Sequence, residues 1–204
     1  MRILITALLA FAAPLAFAAT PTATTATPAA PVAPAAKPAA AAPAWTHGAG
    51  STLGFSSSYD GESFDGAFSR FTTAIAFDPA TATGRFDVAI NLASANTEND
   101  ERDEVLLGEE FFNAVAAPQA RYVATRFRKL PDGRFVAEGS LTLRGVTRAV
   151  PLTFGWTPGA APVLEGSATV PRLAFQVGTG DWADVEMLPD AVSVRTRLQL
   201  TPKR

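Results

Sequence analysis

The chain has no cysteine, a single histidine and no surplus of basic charge. Without cysteine there is no disulfide framework, thiolate nucleophile, Cys-ligated zinc or acylated lipoprotein cysteine. One histidine cannot build a His-rich metal centre. His47 sits at the edge of the folded region, where an exposed residue is expected, and this sets aside a His-based triad. With 17 Lys and Arg against 19 Asp and Glu, the net charge is −2 over 204 residues. That balance offers no basic face to neutralise a phosphate backbone, so nucleic acid is not an expected partner. The acids between Glu98 and Glu110 lack the ligand spacing of a calcium loop. Gly178-Thr179-Gly180 has neither the lysine nor the strand-to-helix context of a phosphate loop, and reads as a turn.

Met1-Arg2 gives a short positive start, Ile3 to Phe17 is an apolar run, and Ala16-Phe17-Ala18 is a small-x-small cleavage signal. These predict a cleaved signal peptide over 1–18 and a periplasmic location. Residues 19–44 are almost wholly Ala, Pro and Thr. With no large side chains to bury, they read as a disordered linker. The folded domain is expected over 45–204, where 15 bases face 19 acids for a net of −4.

Inside that domain the dominant period is two. Phe71, Thr73, Ile75 and Phe77 alternate with smaller or polar neighbours, as do Phe86, Val88 and Ile90. Further sets are Phe135, Ala137, Gly139, Leu141 and Leu143; Val150, Leu152, Phe154 and Trp156; and Val192, Val194, Thr196, Leu198 and Leu200. Val123, Thr125 and Phe127 are expected on one face, with Tyr122, Ala124 and Arg126 on the other. One apolar face per run is the mark of half-buried antiparallel strands. Turn signals at Tyr59-Asp60-Gly61, Asp78-Pro79, Pro131-Asp132-Gly133, Thr157-Pro158-Gly159 and Leu188-Pro189-Asp190 separate them. The spacing suits a meander closed into a barrel, or a sandwich. Residues 99–115 break the pattern. Four acids at their start and near-helical apolar spacing predict one helix or two short turns across a barrel mouth, ended by Pro118.

Four stretches, in order, carry a resemblance to a known family. Ser51-x-Leu53-x-Phe55 leads to Phe64-x-Gly66-x-Phe68 and Phe77-Asp78-Pro79. Ser94-x-x-Thr97 precedes Glu101-Arg102-Asp103, Glu110-Phe111-Phe112-Asn113 and Pro118-x-Ala120-Arg121-Tyr122. Gly139-x-Leu141-Thr142-Leu143-Arg144-Gly145-Val146-Thr147 is followed by Val150-x-Leu152. Phe175-x-Val177-Gly178-x-Gly180-Asp181-Trp182 comes before Val192-x-Val194. The whole resembles the YceI-like proteins of the bacterial periplasm. One departure is Gly50, where members often carry a His before the first strand. The resemblance implies an all-β, lipocalin-like closed antiparallel β-barrel with one short helical excursion. It also implies non-covalent binding of a polyisoprenoid, an isoprenoid quinone or another long amphipathic lipid. Homodimers, and a membrane b-type cytochrome as partner, are implied in the same way.

The expected function is therefore an apolar-ligand holder, acting as carrier or reservoir, with no catalytic residue, metal or bound cofactor. The expected cavity wall comprises Phe55, Phe68, Ile75, Phe77, Phe86, Val88, Ile90, Phe127, Leu141, Leu143, Leu152, Phe154 and Phe175. Patterning assigns faces and not voids. Gly54, Gly66, Ala137 and Gly139 could leave a channel, or admit a phenylalanine from the opposite wall. The alternative is a filled barrel serving as an interaction module that docks a membrane redox partner. A hydrolase or isomerase acting on lipid would need a nucleophile with a paired base, and Thr73, Thr125 and Thr196 have no expected histidine partner. Trp156 and Trp182 are expected in the core or at the mouth; Arg121, Arg126, Arg144 and Arg148 are expected on solvated faces.

Overall fold

The computed structural model describes residues 44–203. The signal peptide expected over 1–18, and all of the 19–44 linker except Ala44, lie outside the described residues. The strands are β1 (Ala44–His47), β2 (Thr52–Tyr59), β3 (Glu62–Phe68), β4 (Phe71–Asp78), β5 (Thr83–Asn91), β6 (Ala95–Asn96), β7 (Gln119–Lys129), β8 (Phe135–Leu143), β9 (Val146–Thr157), β10 (Val163–Pro171) and β11 (Ala191–Pro202). A helix, α1 (Asp100–Leu107), interrupts them.

These segments compose eight antiparallel walls. Trp45–His47 pair with Leu200–Pro202, and Thr52–Ser56 continue along the same β11 opposite Ser193–Arg197. β1 and β2 are thus one wall strand broken at Gly48–Ser51. β3 and β4 form the next, facing β2 and β1 respectively. β6 prolongs β5 across β3. The remaining strands pair in sequence order, and the β1–β11 ladder closes the ring. Closure gives each wall strand a neighbour on both sides, although β9 and β10 pair only over Thr153–Thr157 and Val163–Ser167. The barrel expectation is therefore borne out, and the sandwich is not what forms.

Local chemistry places the turns. Asp60-Gly61 and Arg144-Gly145 join their strands through two residues with positive φ, the backbone twist a two-residue hairpin needs. Asn99 caps α1 by accepting the Arg102 N–H at 2.9 Å, and Asp100, Glu101 and Asp103 occupy its positive end. The helix stops at Leu107, and turns carry the chain to Pro118, shorter than the 99–115 stretch the spacing suggested.

One strand contradicts its expected parity. The β7–β8 register slips between Ala124 and Phe127, where two residues oppose one. This bulge flips the faces. Tyr122 and Ala124 join Phe127 on the interior, while Val123 and Thr125 do not.

The outside of the wall is charged. Arg121 reaches Asp87 with two hydrogen bonds, and its contact holds the Asp87 carboxyl below the usual carboxylate range. Arg126–Glu138 and Arg197–Glu165 pair across neighbouring strands. A barrel facing lipid would carry an apolar band there.

Candidate functional site

The interior divides into three levels. At the end holding the strand termini and the 79–82, 130–134 and 158–162 turns, aromatic rings fill the lumen. Phe77 is the hub, with ring centroids 5.0–5.9 Å from Phe86, Phe127, Phe135, Phe154 and Trp156. Leu164, Leu198 and Leu200 complete this plug. At the opposite end, the segments around Phe111 and Leu188 form a lid with Leu106, Phe112, Phe175 and Val177. Between plug and lid lies a cavity of about 200 Å³.

Nine of the thirteen expected wall residues line it: Phe55, Phe68, Ile75, Phe86, Val88, Ile90, Leu141, Leu143 and Leu152. Four do not. Phe77, Phe127 and Phe154 are consumed in the plug, packed ring on ring. Phe175 is fully buried within the lid cluster and is not on the cavity lining. Their parity or burial was legible; their level along the barrel axis was not. Residues absent from the expectation include Leu53, Phe64, Tyr122, Ala168, Val170 and Val194. The inward period of β10 (Leu164, Gly166, Ala168, Val170) was present in the sequence and would have found two of them.

Two glycines keep the hollow open. Gly66 faces Phe55 across the β2–β3 ladder, and a Cβ there would run into the Phe55 ring. Gly139 stands under Tyr122 in the same way. Each ring therefore lies flat against the neighbouring strand and does not cross the lumen. Burial raises the Tyr122 pKa well above its ordinary value, and its hydroxyl donates to the Ala137 carbonyl at 3.2 Å. We expect Gly139→Ala to lower stability by about 1–3 kcal/mol, the usual cost of overpacking. Urea denaturation measures the loss, and a shift in Tyr122 ring signals would show the ring displaced into the cavity.

The lid is stapled by two arginines. Arg172, 3% exposed, donates to the carbonyls of Pro189, Val177, Gly178, Trp182 and Leu188, so all five of its N–H groups are engaged. Burial lowers its pKa, and the nearby Asp190 charge opposes that shift. Arg144, expected on a solvated face, gathers the Glu110, Phe111 and Gln176 carbonyls instead. Trp182 Nε1 donates to Glu110 at 2.7 Å, joining the two lid segments.

His47 also departs from expectation. It is half-buried in β1, its ring centroid 4.6 Å from that of Phe71. Its backbone N–H donates to Thr73 Oγ1 at 2.8 Å, and its Nδ1 stands 3.4 Å from the same oxygen. The β1–β4 ladder spans only Ala44 and Trp45, so Thr73 serves an amide the ladder leaves unpaired. Among the described residues no group of three His, Asp or Glu side chains is placed to hold a metal.

Residues 46–200 match the YceI-like domain. The chain belongs to that family. A UPF0312 protein of Shewanella denitrificans is 36% identical over 107 residues, which cover 52% of this chain and 56% of the relative. The chain thus spans about half the length of the curated relatives it matches. The crystal structure of Burkholderia cenocepacia BcnA is similar at 30% identity with a TM-score of 0.66, covering 72% of this chain and 94% of that one. A polyisoprenoid binding domain from Saccharophagus degradans shares the fold at 14% identity and a TM-score of 0.60, covering 79% and 99%. The YceI-like assignment confirms the barrel and places the hollow in a fold used by that binding domain.

Proposed function

We propose that this YceI-like protein holds an apolar, isoprenoid-type chain reversibly in its barrel, as a carrier or reservoir in the periplasm. The observation that carries the reading is the carbon-lined cavity between plug and lid. A dry engineered cavity of roughly 150 Å³ takes up benzene. The hollow here, about 200 Å³, suits a ring or a short branched run, such as the end of an isoprenoid. A longer chain requires the lid to part. Transfer from water stabilises the complex by about 0.8 kcal/mol per buried methylene. The same chain is already dry in a bilayer, so net transfer from membrane to barrel is small and reversible, as a carrier needs. The likeness to a polyisoprenoid binding domain supports the same reading at the level of fold. No step of this reading calls for catalysis.

A second reading, a module that docks a membrane redox partner such as a b-type cytochrome, draws on the protein's exterior. Tyr59, Val105, Val115, Val185 and Met187 are exposed, and all stand at the lid end. Organic extraction of the purified full-length protein followed by mass spectrometry separates the two. A co-purifying isoprenoid, with thermal stabilisation on adding an isoprenoid quinone, is the expected result. An empty extract and an unchanged unfolding temperature would favour docking.

A further inference from the structure

The barrel wall is unpaired along one stretch beside the cavity. β8 and β9 stay paired from Phe135–Phe154 to Leu143–Val146, and β10 and β11 from Val163–Gln199 to Pro171–Ala191. Between these two sound ladders, β9 and β10 pair only from Thr157–Val163 to Thr153–Ser167. Toward the lid, Val146–Leu152 and Ala168–Pro171 form no ladder across the seam.

The sequence explains why the ladder stops. The two-residue turn at Arg144-Gly145 makes Leu143–Val146 a pair that exchanges both its hydrogen bonds. Alternation then turns the backbone groups of Thr147, Ala149, Pro151 and Thr153 away from β8 and toward β10. Carried past Thr153–Ser167, the same register would set Pro151 against Thr169 and Ala149 against Pro171. Each of those pairs contains a proline, one on either strand, and proline has no N–H to donate. Thr147, Ala149, Pro151 and Thr169 are exposed, so the free backbone groups meet water.

Both lips of the seam face the cavity. Val150 and Leu152 on one, and Ala168 and Val170 on the other, are lining residues, and their carbon closes the wall where the ladder does not. Beyond Pro171 the chain makes the single turn Arg172–Phe175 and reaches Gln176. Arg144, at the tip of the β8–β9 hairpin, donates to the Gln176 carbonyl at 2.6 Å and so ties one lip to the other. The carbonyls that Arg172 holds, by contrast, all lie between Val177 and Pro189, in the segment that follows it.

We propose that an apolar chain enters and leaves the barrel sideways through the β9–β10 seam, with Arg144 as the latch across it. The inference rests on the lipid-holding reading and adds the route that reading leaves open. No strand ladder crosses the part that opens. The end of β10 and the turn after it draw away from β9, and the 172–190 segment moves with them, still stapled by Arg172. A wall closed by side chains alone opens at lower cost than one closed by backbone hydrogen bonds.

The chain has no cysteine, so an introduced pair is unique. Ala149→Cys with Thr169→Cys puts one exposed thiol on each lip and keeps both prolines. A short flexible bismaleimide then ties the lips, N-ethylmaleimide caps both thiols in the control, and mass spectrometry confirms each product. Stopped-flow fluorescence of N-phenyl-1-naphthylamine gives its uptake rate, and displacement by excess geraniol gives its release rate. The tie should slow uptake and release together by about tenfold or more and leave affinity within about twofold, since a gate alters rates and not the equilibrium. Arg144→Met should speed release about threefold or more in the capped protein and not in the tied one, with thermal unfolding confirming that it folds. Tied protein that exchanges the probe as fast as capped protein overturns the inference while the lipid-holding reading stands, and the chain then passes elsewhere. So does an Arg144→Met protein whose release is unchanged, or is speeded equally with the tie in place. If the wild-type protein takes up neither probe nor geraniol, the reading itself falls and takes the inference with it.

Discussion

Ala168→Phe should abolish uptake of an apolar probe while leaving the fold intact. Ala168 faces the lumen from β10, paired with Val194 of β11, and both line the cavity. The substitution adds a benzene-sized ring to a hollow of about 200 Å³, and a space of roughly 150 Å³ already suffices for benzene. Little volume then remains for a ligand. Affinity for geraniol or an isoprenoid quinone should fall by about 100-fold or more, close to 2.7 kcal/mol. Stability should hold or rise, because an empty apolar cavity costs on the order of 24 cal/mol per Å³ and the ring fills it. Displacement titration and thermal unfolding on the same samples give both numbers. Undiminished binding in a folded Ala168→Phe protein would place the ligand somewhere other than between plug and lid.

The second large effect concerns the lid. Arg172→Met should destabilise the protein by about 3 kcal/mol or more. Methionine matches much of the arginine stem but supplies no hydrogen, so five carbonyls that now share one guanidinium lose their donor. Each buried acceptor left unpaired costs about 1–3 kcal/mol, and water entering at the barrel end relieves only part of the total. Arg172→Lys tests whether charge or geometry matters. Lysine keeps the charge but has three hydrogens and no planar fork, so at least two carbonyls stay unpaired and an intermediate loss is expected. Urea midpoints measure the stability, and hydrogen exchange should quicken first in the 172–190 segment. A methionine variant as stable as wild type would remove the staple from the account of the lid.

These two sites differ in how visible they were before folding. The inward face of β10 could be read from its period, although Ala168 among larger neighbours gave no hint of bounding a hollow. Arg172 gave no signal at all, since a lone arginine beside a proline is ordinarily a surface residue. Its role arises because the chain from Val177 to Pro189 folds back over it, and that path depends on contacts distant in sequence. Tyr122 was misplaced for a related reason. Strict alternation carries no mark of a bulge, and the slip between Ala124 and Phe127 exists only against the partner strand. His47 and Thr73 lie 26 residues apart and meet only because β1 lies beside β4.

Alternation, turn residues and family motifs sufficed by themselves for the all-β barrel, its helical excursion and most inward faces. Those features follow from local backbone chemistry and from apolar area leaving water along each strand. What tertiary structure alone decided was the level of each side chain along the barrel axis. Phe77 and Phe154 became plug, Phe55 and Ile90 became wall, and Gly66 and Gly139 laid two rings flat so that a hollow remained. Period two reports whether a residue faces in or out. A void is defined by what stands opposite, and opposite walls of a closed barrel meet only when the last strand pairs with the first.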